Sequence, residues 1–198
     1  MNRKDFILQS AFSAIAISTF GNIVPTKQGT FHGDCETTND ILGPFYRAGA
    51  PLRSDLTTAT LMGTRIYISG KVKKKDCVTP IKGALVEIWH CDSKGEYDND
   101  SQDFNQRASF ITSENGEYAF KTILPGKYLN GELFRPSHIH FRVSGNELDE
   151  LISQIYFEHD PDIVKDPWAS KPQAKERILP LIPSMTDGSL SIQFDIYC

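Results

Sequence analysis

From Arg65 onward the chain is a succession of short segments in which apolar and polar residues alternate, each closed by turn residues. That spacing leaves little room for anything but sheet, because side chains in a strand alternate faces with period two. "RIYISGKV" (65–72) and "GALVEIWHCD" (83–92) follow the pattern. In "RASFITSENGEYAFKTILPGKY" (107–128) two β-prone runs flank Asn115-Gly116. That pair predicts a hairpin, since both residues tolerate positive φ. "SHIHFRVS" (137–144), "LISQIYF" (151–157) and, after an Asp187-Gly188 turn, "SLSIQFDIY" (189–197) complete the set. Strands this short and close together predict an all-β sandwich or barrel with long loops. "DPWASKPQAKERIL" (166–179) predicts a short helix that Pro172 limits to a turn or two. "TFHGDCETTNDILGPFYRAGAPLRSDL" (30–56) has turn residues but no period and reads as an extended N-terminal arm.

The 198 residues suit one domain with a core of useful size. The formal net charge is −4, which gives a nucleic-acid partner no electrostatic support. The lysines of "KVKKKDC" (71–77) read as a solvated strand end or turn. The first residues differ in kind. "MNRKDFILQSAFSAIAISTFGNIV" has a basic start and then an apolar, small-residue stretch from Ala11 to Val24. That is the layout of a secretory signal, too short and too weakly apolar to hold a mature domain in a membrane. "NRKDFIL" also resembles a twin-arginine export signal in which Lys4 replaces the second arginine. Residues 1–29 therefore read as an export signal and 30–198 as the domain, placed in the periplasm or outside the cell. The alternative is a buried amphipathic N-terminal helix in a cytoplasmic protein. Residues 1–29 hold Arg3, Lys4 and Lys27 against Asp5, so the remainder carries −6. Cys35, Cys77, Cys91 and Cys198 form no C-x-x-C pair. Export would permit disulfides among three complete pairings.

"FRPSHIHFRVSG" (134–145) carries the chemistry. On a strand His138, His140 and Arg142 share one face, and Ile139, Phe141 and Val143 the other. An H-x-H alone is a weak metal signal. Tyr97 in "DSKGEYDND" and Tyr128 in "ILPGKY" each follow a glycine turn at a strand end, where a side chain either is aimed at a loop site or, as each reads alone, simply packs. Trp89 reads as core beside Val86 and Ile88. His90, His32 and His159 read as structural or solvated.

In order and spacing, "GALVEIWHCDSKGEYD", "GEYAFKTILPGKY", "RPSHIHFRVSG" and "LISQIYFEHDP" resemble the intradiol ring-cleavage dioxygenases, as does the arm segment "ILGPFYRAGAPLRSDL". The resemblance runs from about residue 35 to 198. It implies a β-sandwich catalytic domain holding a mononuclear non-haem Fe(III) through Tyr97, Tyr128, His138 and His140. Ferric iron is hard and favours anionic oxygen donors, and a phenol of pKa ~10 loses its proton against a cation. The implied substrate is a catechol bound through both hydroxyls. The implied reaction inserts both atoms of O2 and cuts between the hydroxylated carbons to give a cis,cis-muconate. By position Tyr128 is the tyrosinate that leaves the metal and takes up a proton. Arg135 matches the arginine that stabilises charge on the ring, and Gln154 a glutamine that orients Arg135 or meets substrate. His90 stands where the family often has glutamine. The chain resembles the iron-bearing protocatechuate 3,4-dioxygenase subunit and shows no helical dimerisation segment of the catechol 1,2-dioxygenase kind. It is expected to act as a homo-oligomer or monomer. The rival reading is a transthyretin-like β-sandwich binding module, a type that lacks the R-P-x-H-I-H strand.

Overall fold

The computed structural model describes residues 24–25, 31–33, 35–145 and 148–198. The segment read as an export signal lies outside the described residues, except where β1 (Val24–Pro25) pairs with β2 (Phe31–His32). The alternating segments then form β3 (Arg65–Lys73), β4 (Leu85–Trp89), β5 (Arg107–Ile111) and β6 (Glu117–Ile123). A small hairpin, β7 (Tyr128–Asn130) and β8 (Leu133–Arg135), precedes β9 (His138–Ser144) and β10 (Leu151–Phe157). β11 (Ile178–Leu179), β12 (Ile182–Pro183), β13 (Leu190–Gln193) and β14 (Ile196–Tyr197) follow.

Two sheets stack as a sandwich. One has the order β11-β10-β9-β4-β5, while the other is built around β3, with β6 on one side and β13 and β14 on the other. Their facing sides supply one apolar core. Val86, Ile88, Ile139, Phe141, Val143 and Ile155 of the first sheet meet Ile66, Ile68, Val72, Phe120, Ile192 and Ile196 of the second. β3 buries only alternate residues, as a strand with one solvated face should. β9 and β10 are buried on both faces. Their second face is covered by the arm and the long loops, and that face carries the candidate site.

The Asn115-Gly116 turn forms, with Gly116 at φ +72°, but it makes no hairpin. β5 pairs with β4 and β6 with β3, so the turn carries the chain from one sheet to the other. The packing of two apolar faces outweighs local pairing at this corner. The segment around 166–179 forms a 3-10 helix, Pro172–Arg177, which Pro172 opens rather than interrupts.

The arm is fastened along its length. Backbone N–H groups of Thr37, Asp40, Arg53 and Leu56 donate to carbonyls of Tyr197, Ile152, Ser109 and Lys121. A disulfide joins Cys35 to Cys77 across 42 residues, and Cys91 and Cys198 are free thiols. Among the described residues no helix is long and apolar enough to cross a membrane.

Closing a loop of that size stabilises a fold by about 2–4 kcal/mol. At roughly 2–4 °C per kcal/mol for a domain of this size, the Cys35→Ser/Cys77→Ser double variant should melt about 5–15 °C lower in calorimetry. An unchanged melting temperature would show that hydrogen bonds alone hold the arm.

Candidate metal centre

Register assembles the site. His140 on β9 lies opposite Trp89 on β4 and Gln154 on β10, and Trp89 lies opposite Arg107 on β5. Cross-strand partners share a face, so Arg107, Trp89, His140 and Gln154 form one row beneath the arm. His138 lies opposite Tyr156 in the next row. All six side chains are buried. Trp89 is thus buried as expected, but on the site face: its parity opposes Val86 and Ile88, and it stacks on His140 at 4.9 Å and 10°. Arg142 shares this face further along and bonds Glu87 at 2.7 Å.

Two loops bring in the tyrosines. A Cβ on Gly95 would lie 2.3 Å from the Lys127 carbonyl oxygen, and one on Gly126 would lie 2.5 Å from that of Ser93. Only glycine lets these backbones touch, and each glycine stands two residues before a tyrosine. Tyr97 and Tyr128 consequently meet with ring centroids 5.7 Å apart. Tyr128 lies 5.6 Å from His138, Tyr97 lies 6.4 Å from His140, and the two imidazoles are 5.0 Å apart. The structure therefore brings Tyr97, Tyr128, His138 and His140 into one cluster. Phe45 of the arm stacks on Tyr97 at 4.1 Å, and Gly43 lies against the His140 ring.

The nitrogens of this cluster are available. His138 Nδ1 lies 2.6 Å from the Pro136 carbonyl and must donate there, which leaves the Nε2 lone pair turned toward the Tyr97 hydroxyl at 3.4 Å. Among the described residues neither nitrogen of His140 reaches full hydrogen-bond geometry, and the Ile41 backbone is the polar group near enough to the ring to raise its pKa. Burial pushes the His138 pKa down to about 3 and that of His140 well below the usual range, with the Arg135 charge lowering both further. Both imidazoles are therefore neutral, as metal ligands must be. Burial raises the Tyr97 and Tyr128 phenols, against the lowering influence of Arg135. Among the described residues no three His, Cys, Asp or Glu side chains cluster as ligands. The side-chain oxygens that this cluster sets beside the two imidazoles are those of Tyr97 and Tyr128, and phenolates favour a hard, highly charged ion.

Arg135 pairs with Tyr128 across the β7–β8 hairpin, so both side chains point the same way. Its Nε donates to Asp166 at 2.6 Å and its Nη2 to the Gln154 amide oxygen at 2.9 Å, while the guanidinium covers the Trp168 ring at 4.4 Å. Gln154 gives its own N–H to the Ile41 carbonyl at 3.0 Å and accepts from the Tyr156 hydroxyl. The single Tyr156 hydroxyl proton lies between Gln154 at 3.2 Å and Asp40 at 3.0 Å, and Arg177 holds Asp40 at 2.8 Å. Gln154 thus links Arg135 to Tyr156 and to the Ile41 carbonyl of the arm. Sequence reasoning missed Asp166, Tyr156, Asp40, Arg177 and Arg107. Tyr156 alone left a signal, sharing the parity of Gln154 on β10. His90 is structural, with Nδ1 bonded to the Cys91 carbonyl and Nε2 to Thr122.

The family model described as "Dioxygenase" matches residues 41–197. The chain is 36% identical to the catechol 1,2-dioxygenase of Candida albicans over 61% of its own length and 46% of that protein. It is 30% identical to the chlorocatechol 1,2-dioxygenase of Rhodococcus opacus over 77% of its own length and 67% of that protein. It thus spans about half to two thirds of these relatives. Among solved structures, the dioxygenase domain of a dioxygenase–carbohydrate-binding protein fusion from Streptomyces sp. SirexAA-E superposes with a TM-score of 0.72 at 26% identity. That match covers 82% of this chain and 97% of the other.

Three neutral buried imidazoles make acid stability a sharp test. His90 is pushed down by burial to about 4 and His138 to about 3, and burial also holds His140 well below its usual range. In the unfolded chain each protonates near 6.5. Their contribution is complete above pH 6.5 and is lost as pH falls below it. Urea unfolding of the metal-free protein should lose up to about 4 kcal/mol per pH unit from these groups below pH 6. His90→Gln should lower that slope by about a third. An unchanged slope would mean that His90 already titrates in the folded state.

Proposed function

This chain belongs to the intradiol ring-cleavage dioxygenase family, and we propose that it cleaves a catecholic ring between its hydroxylated carbons with O2 to give a cis,cis-muconate-type product. Members of this family use non-haem iron, and we assign a mononuclear Fe(III) to Tyr97, Tyr128, His138 and His140. The observation that carries the assignment is the convergence of two phenols on two buried, neutral imidazoles, with the His140 nitrogens lacking any completed hydrogen bond. A binding module would gain nothing from such costly burial. Held by Tyr97, Tyr128, His138 and His140, ferric iron would supply Lewis acidity for a catechol and for its reaction with O2.

The chain's own residues divide the remaining work. Tyr97 is held by its stack on Phe45. Tyr128 opens β7 at the base of a hairpin whose tip is exposed, and we assign it as the phenol that swings out and carries a proton. Arg135 stabilises that movement and offers a permanent positive charge to the electron-rich ring, since a guanidinium does not deprotonate at working pH. Asp166, Gln154 and Trp168 fix where this charge points, so Gln154 acts by positioning. The Pro136 carbonyl holds His138 in its ligating tautomer. We also place the domain outside the cytosol, which the Cys35–Cys77 disulfide supports.

Oxygen uptake and muconate absorbance with a catechol, measured beside iron content, test the reading. His138→Ala should lose most of its iron. Tyr128→Phe should keep much of its iron and lose turnover by roughly 10²-fold or more. Full turnover in either variant at unchanged iron content would refute the ligand set. Arg135→Gln should retain iron and lower kcat by about 10²-fold, as expected for removal of one preorganised charge.

A further inference from the structure

Arg107 stands at the β5 end of the buried row, with only 1% of its surface exposed. Its guanidinium grips both supports of Tyr97. Nε donates to the carbonyl of Asp98, the residue after Tyr97, at 2.8 Å. Nη1 donates at 2.6 Å to the carbonyl of Phe45, whose ring stacks on Tyr97. Nη2 has no hydrogen-bond partner among the described residues.

The charges nearby leave this cation short of an anion. The Asp98 carboxylate accepts from the backbone N–H groups of Ser101 and Asn105 and pairs with Arg47 at 3.4 Å. Arg47 in turn repels Arg107, while Asp98 and Tyr97 favour its charge. A buried charge without a counter-charge costs several kcal/mol. The neighbour that becomes anionic when a metal binds is Tyr97.

Resting on the ferric-tyrosinate reading above, we propose that Arg107 is a second counter-charge to Tyr97, beside Arg135: a positioning residue whose charge, as well as its grip on the Asp98 and Phe45 carbonyls, favours Tyr97 as a phenolate ligand. The charge is part of the claim, so Arg→Lys and Arg→Gln must behave differently. A cation beside a phenolate lowers the energy of its electrons and raises the energy needed to move one to iron. Removing the cation moves the tyrosinate-to-iron absorption to longer wavelength.

The test compares visible spectra and iron retention against a chelator for the full-length parent, Arg107→Lys, Arg107→Gln and Arg107→Met, each loaded with Fe(III). The two neutral variants should absorb at longer wavelength and hold iron about tenfold less tightly, equivalent to about one pKa unit on the ligand. Arg107→Lys should keep the parental band position. If all three variants lose iron equally with no band shift, Arg107 is a structural clamp and the proposal fails. If the neutral variants match the parent, it also fails. A parent that shows no tyrosinate band at all refutes the iron site instead, which keeps the two failures apart.

Discussion

One sheet of this protein is buried on both faces, and the second burial is the constraint on which the rest depends. The face toward the sandwich is apolar and close-packed. The face beneath the arm carries Arg107, His138, His140, Gln154 and Tyr156. Polar groups removed from water must find partners or lose stability. Most find them in the arm, the loops and each other, the His140 nitrogens and Arg107 Nη2 being left over among the described residues. Asp40 accepts from Tyr156 and Arg177, the Ile41 carbonyl accepts from Gln154, and Phe45 packs on Tyr97. The arm is therefore a structural layer in its own right, and the disulfide and backbone bonds that fasten it also keep water from the imidazoles.

The same burial sets the electrostatics. With solvent removed, imidazoles stay neutral and phenols stay protonated until a cation arrives. Two fixed guanidinium groups then become the main local counterweights. Arg135 lowers both phenols and is itself neutralised in part by Asp166. Arg107 adds a second, smaller lowering influence on Tyr97, and among the described residues it makes no ion pair of its own. The two tyrosines are thus held in unlike ways. One is stacked and braced from behind, and the other stands at the base of an exposed hairpin. That asymmetry is what the proposed division of roles rests on, with Tyr97 staying on the metal and Tyr128 moving.

Much of this was legible in the sequence because it is periodic or local. Alternation located the strands and placed His138 with His140, and the glycine before each tyrosine marked the loops that bring the phenols together. What sequence could not give was which strands pair. Asn115-Gly116 looks the same whether it joins two neighbours in one sheet or carries the chain between sheets. The parity of Trp89 was readable, but a buried apolar residue on either face satisfies the same pattern. Asp166, Asp40 and Arg177 reach the network from loops and a short 3-10 helix. No period marks such positions, and a charged loop residue ordinarily signals solvent rather than a buried pair. The disulfide pairing depended on where the arm crosses the β3–β4 connection, which is a tertiary fact.

The central claim is that four side chains, Tyr97, Tyr128, His138 and His140, make one iron site. Anomalous diffraction at the iron edge from crystals of the iron-loaded protein tests it most directly. The account predicts a single strong peak within bonding distance of both phenolic oxygens and of one nitrogen on each imidazole. A peak bonded to other residues, or none at this cluster in protein shown to contain iron, would contradict it.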